Sequence, residues 1–123
     1  MFVSIDVGIK NLAVCVLEQN KILLWKVLNI SYGTDLCTSV IKAFDEMESQ
    51  ISGATILIER QMTRKMCNIQ CYLEMYFRMK GHTEVILYSP KYKLTGTGKE
   101  NSGKDRNIQV VARVVDIYPS PSS

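Results

Sequence analysis

Residues Phe2-Val3-Ser4-Ile5-Asp6-Val7 alternate between two sets of side chains and are rich in β-branched types, the pattern of a strand, and Gly8 halts it. Leu12-Ala13-Val14-Cys15-Val16-Leu17 is a second run of strand length. Gln19-Asn20 leaves room for only a short turn before Ile22-Leu23-Leu24-Trp25-Lys26-Val27-Leu28, so the three runs predict an antiparallel start to a sheet. From Asp35 the period lengthens. Leu36, Val40, Ala43, Phe44 and Met47 recur on one helical face, with Asp35 placed to cap the start and Gly53 to close the end. Ala54-Thr55-Ile56-Leu57-Ile58 is then a continuous apolar run, as in a strand covered on both faces. A long helix is predicted over residues 62–80, ended by Gly81, and a fifth strand over 84–88, stopped by Ser89-Pro90. Residues 91–103 read as a polar, glycine-bearing loop. Ser102 is placed to cap a last helix over 104–117, with Ile108, Val111, Ala112 and Val115 on one face, which Tyr118-Pro119-Ser120-Pro121 cannot continue.

The order βββ-α-β-α-β-α predicts an α/β fold: a five-stranded mixed sheet, three antiparallel strands followed by parallel ones, with helices on both faces. With 123 residues and no internal repeat or linker, residues 1–123 read as one domain, too small for a multi-lobed enzyme. A chain of this size buries roughly two-thirds of its unfolded surface, so it needs no disulfide scaffold. An apolar fraction of 46% with 22% charged residues excludes disordered, collagenous and coiled-coil chains. Cys15, Cys37, Cys67 and Cys71 are irregularly spaced and follow no signal peptide, which points to reduced thiols in an intracellular, reducing compartment. Cys67 and Cys71 have the spacing of half a zinc site, but His82 is the sole histidine and no second cysteine pair exists. No apolar run approaches ~20 residues, so no membrane partner is expected.

Charge is unevenly spread. Residues 1–61 carry five Lys/Arg against seven Asp/Glu, whereas residues 62–123 carry ten against five. An acidic half joined to a basic half suits an anionic partner held mainly by the second, and it also suits an ordinary solvated basic face. Arg60, Arg64 and Lys65 flank the start of the long helix, and Lys91, Lys93, Lys99, Lys104 and Arg106 line the loop and helix start beyond it. With Lys10 and Asn11 they form the candidate phosphate contacts.

The candidate chemistry lies at two strand ends. Asp6 closes the first strand and Glu59 follows the buried one, so if these strands are parallel neighbours both carboxylates emerge on one sheet edge. Paired carboxylates repel unless a divalent cation lies between them, and oxygen ligation suits Mg²⁺ or Mn²⁺. The plainer alternative is an Asp in a turn and a Glu capping the next helix.

Ser4-Ile5-Asp6-Val7-Gly8-Ile9-Lys10-Asn11-Leu12-Ala13 together with Ile58-Glu59-Arg60-Gln61 resembles the RuvC-like Holliday-junction resolvases, in the branch of poxviruses, other large DNA viruses and fungal mitochondria. The resemblance implies a ribonuclease H-like fold and a nuclease that resolves four-way junctions in branched DNA. It implies that Asp6 and Glu59 are catalytic and bind metal, Asp6 bridging two Mg²⁺ ions in phosphodiester hydrolysis, and that Gly8 keeps the turn open. It also implies a homodimer, for which the second apolar face of the long helix offers Met66, Ile69, Leu73, Tyr76 and Phe77, the alternative being a helix buried wholly in its own fold. For a viral protein, it implies the site of viral replication in the host cell. The family has two further aspartates near the start of a final helix, whereas here Asp116 and Asp105 are the only late candidates. Asp116 is the candidate third ligand. A C-terminally truncated resolvase and a degenerate homologue that binds junctions without cutting both fit that departure. Asp-x-Gly hairpins also open actin-like ATPases, but those need a second lobe that 123 residues cannot hold.

Overall fold

The computed structural model describes residues 1–19, 21–30 and 35–89. Strands β1 (Phe2–Asp6), β2 (Asn11–Glu18) and β3 (Lys21–Asn29) form an antiparallel meander, followed by helix α1 (Leu36–Asp45) and the short α2 (Glu48–Ile51). Strand β4 (Thr55–Glu59), helix α3 (Arg64–Met79) and strand β5 (Val85–Tyr88) complete the described chain. The sheet order is β3-β2-β1-β4-β5. β1 pairs antiparallel with β2 and parallel with β4, and β4 pairs parallel with β5, so the mixed five-stranded sheet is as expected.

Alternation along the strands produces two apolar layers. Val3, Ile5, Leu12, Val14, Val16, Ile56 and Ile58 face the helices and pack with Leu36, Val40, Phe44, Ile51, Ile69, Leu73 and Phe77. Phe44 and Phe77 meet edge to face at 5.1 Å between ring centres. On the other sheet face Cys15, Leu17, Leu57 and Tyr88 form a smaller buried cluster. Among the described residues all the helices pack on the first face. The helix expected over 104–117, which would supply the second, lies outside them.

Two local expectations change. The single helix predicted over 35–53 is broken at Glu46-Met47 into α1 and α2. Asp45, Glu46 and Glu48 cluster at the negative end of the α1 dipole, which disfavours continuation, while Met47 still turns into the core at 2% exposure. Asp35 stands at the α1 N-cap without a side-chain bond. The long helix starts not at Met62 but at Arg64, because the Thr63 hydroxyl accepts from the Met66 N–H at 3.4 Å and caps it.

The proposed partner face of the long helix is also corrected. Ile69, Leu73 and Phe77 are wholly buried and Tyr76 nearly so, all within this chain's own core, and Met66 packs against the same cluster. Positions 69, 73, 76 and 77 are spaced as one helical stripe, and that stripe is the one the sheet covers. The exposed apolar residues are instead Tyr72, Met75 and Met79, with Ile41 on α1 beside them.

Candidate active site

Register places the two acids. Ile5 is paired with Ile58 in the parallel β1–β4 ladder, so the next residue on each strand, Asp6 and Glu59, stands beside the other at the C-terminal edge. Neighbouring strands lie ~4.8 Å apart, which brings the two carboxylates within reach of one small cation. Both acids are half-buried and both belong to the alternation set of Ser4 and Leu57, on the sheet face opposite the helices. Ser4 is fully buried beneath that edge, and its hydroxyl has no hydrogen-bond partner.

The backbone that carries Glu59 is held firmly. Arg60 N–H donates to the Tyr88 carbonyl at 2.8 Å, extending the β4–β5 ladder past the acid. Gln61 then acts as a bracket. Its side-chain Nε2 donates to the Glu59 carbonyl at 2.6 Å, and its own N–H donates to Gln70 Oε1 at 2.7 Å. The Cys67 thiol donates to the Gln61 carbonyl at 3.2 Å. Gln70 is 92% buried among the apolar residues of α3, and this bond explains why a polar residue sits there. The resemblance named Gln61 only as part of a motif and did not single out Gln70. The available signal was a glutamine next to Ile69 on an otherwise apolar helix stripe.

On the other strand, a Cβ added to Gly8 would lie 2.5 Å from the Asn11 carbonyl oxygen. Gly8 is therefore required by the close approach of the turn's own backbone. The Ile30 N–H donates to the Lys10 carbonyl at 2.9 Å and ties this turn to the end of β3.

The topology brings Asp6, Glu59, Lys10, Asn11, Arg60, Arg64 and Lys65 to the same sheet edge, the last two on the first turn of α3. Lys10, Asn11, Arg60, Arg64 and Lys65 are all exposed. Lys91, Lys93, Lys99, Lys104, Arg106, Asp105 and Asp116 lie outside the described residues. The donor set suits a hard divalent cation, since both acids offer oxygen. Among the described residues no group of three or more His, Cys, Asp or Glu side chains converges as a metal site.

A family model described as poxvirus A22 protein matches residues 1–122. Solved structures from fowlpox virus are similar as well. A resolvase in complex with its substrate Holliday junction DNA aligns at 20% identity over 100% of this chain and 88% of that one, with a TM-score of 0.55. A fowlpox virus Holliday junction resolvase aligns at 20% identity over 96% of this chain and 74% of that one, with a TM-score of 0.50. At this identity the likeness establishes a common fold, and the mixed sheet described above agrees with the ribonuclease H-like arrangement. A search of curated proteins found no match.

Proposed function

The chain belongs to the poxvirus A22 protein family, and from that premise we propose that it is a structure-selective endonuclease that resolves four-way DNA junctions. The observation that carries the reading is the register that sets Asp6 beside Glu59 at a sheet edge rimmed with basic side chains. Divalent cations held by Asp6 and Glu59, Mg²⁺ in this proposal with Mn²⁺ as substitute, would polarise the scissile phosphodiester and lower the pKa of the attacking water. Lys10, Arg60, Arg64 and Lys65 neutralise flanking phosphates, and Asn11 donates to them. Gln61 and Gln70 keep the Glu59 backbone from shifting as substrate docks.

The proposed enzyme acts as a homodimer, because paired incision of a two-fold junction needs two copies of the site. The exposed strip of Ile41, Tyr72, Met75 and Met79 is the candidate contact. All four cysteines are free thiols, which supports work in a reducing compartment of the infected cell.

The test is incubation of the purified chain with a synthetic four-way junction and Mg²⁺. Paired, symmetric nicks support the nuclease, and nicking that survives Asp6→Asn removes the metal-site assignment. A second reading has one observation in its favour: among the described residues the carboxylates number two rather than a fuller ligand set. On that reading the chain binds junctions without cutting them, and the same experiment would give a shifted band with no nicked product.

A further inference from the structure

An open groove of about 340 Å³ separates the outer strand β3 from helix α1. Its polar lining is Lys26, Asn29, Ser39, Lys42 and Glu46. The groove follows from how α1 is turned. Leu36, Val40 and Phe44 point into the core, so the neighbouring stripe at 39, 42, 43 and 46 looks onto the rim of the sheet. The small Ser39 and Ala43 leave room between that stripe and the strand, whose Leu28 is buried below.

Three observations point to an anionic occupant. Residues 1–61 are net acidic, yet of their five basic residues Lys26 and Lys42 line this groove and Lys10 stands at its end. Among the described residues the ion pairs tie up Arg78, Lys80 and His82, and neither Lys26 nor Lys42 has one. Lys42 has none although Glu46 is one helical turn away. Ser39 adds a hydroxyl that donates to phosphate oxygens.

The groove also lies where a nucleic acid at the acidic edge would pass. Asn29 pairs with Asn11, and Ile30 is bonded to Lys10, so the end of β3 adjoins the β1–β2 turn. Val27 aligns through Ala13 with Asp6. Two strand spacings are ~10 Å, about three base pairs of a duplex. Because Lys26 and α1 belong to the helix-bearing side and the carboxylates to the other, a bound arm would round the outer edge of the sheet.

We propose that this groove seats the phosphodiester backbone of a DNA arm, as a contact separate from the carboxylate edge; the proposal rests on the junction-resolving reading. Lys26 and Lys42 each neutralise a phosphate, Ser39 orients it, and Glu46 limits the strength of the contact.

Binding of the full chain to a labelled four-way junction, titrated across salt, tests it. The K26Q/K42Q double variant should bind roughly tenfold more weakly at low salt, with the slope of log K against log salt shallower by about 2. E46Q should bind more tightly. Lys21, at the other end of β3 and opposite Glu18, is the control, and K21Q should keep the wild-type slope. A double variant with the wild-type slope, or a K21Q as weakened as the double variant, overturns the groove while leaving the nuclease reading intact. A wild-type chain that binds no junction overturns both.

Discussion

Two pairs of carboxylates stand at opposite ends of the sheet and are positioned by different means. Asp45 and Glu48 lie where β4 and β5 begin and α3 ends, and each is met by donors. Tyr76 donates its hydroxyl to Asp45 at 2.6 Å, and Lys80 reaches the same oxygen at 3.2 Å. Glu48 lies 2.8 Å from His82 Nε2, while His82 Nδ1 lies 2.8 Å from the Ala54 carbonyl. A carbonyl only accepts, so Nδ1 donates to it, while Nε2 faces the Glu48 carboxylate. These contacts clamp α1, α2 and α3 to the start of β4. At the far end Asp6 and Glu59 are brought beside one another by strand register, with basic side chains on the rim. The matched pair is placed by side-chain contacts between helices, and the juxtaposed pair by backbone register between two strands. The second end is the one we propose does the chemistry.

The largest effect should come from the juxtaposed pair. Asp6→Asn or Glu59→Gln is expected to slow junction nicking by about 10³-fold or more, roughly 4 kcal/mol of transition-state stabilisation. Melting temperature should hold or rise, because a like charge has been removed. Single-turnover kinetics beside a thermal melt on the same samples checks both halves.

The matched pair should respond in the opposite sense. His82→Ala leaves Glu48, whose Oε2 is already buried without a partner, with no donor, and should cost about 2–4 kcal/mol of stability. Nicking measured well below the melting temperature should persist. A melt unchanged by this substitution would remove the clamp from the account.

Gln70→Ala links the two ends, since Gln70 belongs to the helix that the clamp positions and to the bracket that holds Glu59. Loss of its bond to the Gln61 N–H should cost about 1–2 kcal/mol and lower the nicking rate roughly tenfold, with junction affinity retained. The separation of rate from affinity is the diagnostic readout.

The smallest effect is a pH dependence. The Tyr76 hydroxyl, and after it the Lys80 ammonium, hold Asp45 below its ordinary value of 3.8. A depressed carboxylate stabilises the fold above its unfolded pKa, and that contribution fades as pH falls through the folded one. Burial and the bond to Asp45 raise Tyr76 in turn. Tyr76→Phe removes the main cause, so melting temperature plotted from pH 5 to pH 2 should fall less steeply than in the wild type.

Much of the fold was legible because its signals are local. The strand runs at 2–7, 12–17 and 22–28 and the apolar run at 54–58 match β1 to β4 within a residue or two. Gly53 and Gly81, at φ +79° and +95°, stop helices where their conformational freedom is needed. The break between α1 and α2 was not legible, since Met47 continues the helical apolar spacing and the core accepts it from a bent chain as readily as from a straight one. The partner face of α3 was misassigned for a similar reason. Met66, Ile69, Tyr72, Leu73, Met75, Tyr76, Phe77 and Met79 populate more than one stripe, and hydrophobicity does not say which of them the sheet covers.

By itself the sequence determined the order of elements, the positions of Asp6 and Glu59 at the ends of their strands, and the acidic and basic halves. Each depends on periodicity or turn chemistry within a few residues. Only the tertiary structure decided that Ile5 meets Ile58, that Gln70 reaches Gln61, that α3 shows solvent Met75 and Met79 rather than Phe77, and that Lys26 meets Lys42 across a groove. Those are contacts between segments far apart along the chain. They are set by how whole helices and strands exclude water together, which no short window of residues encodes.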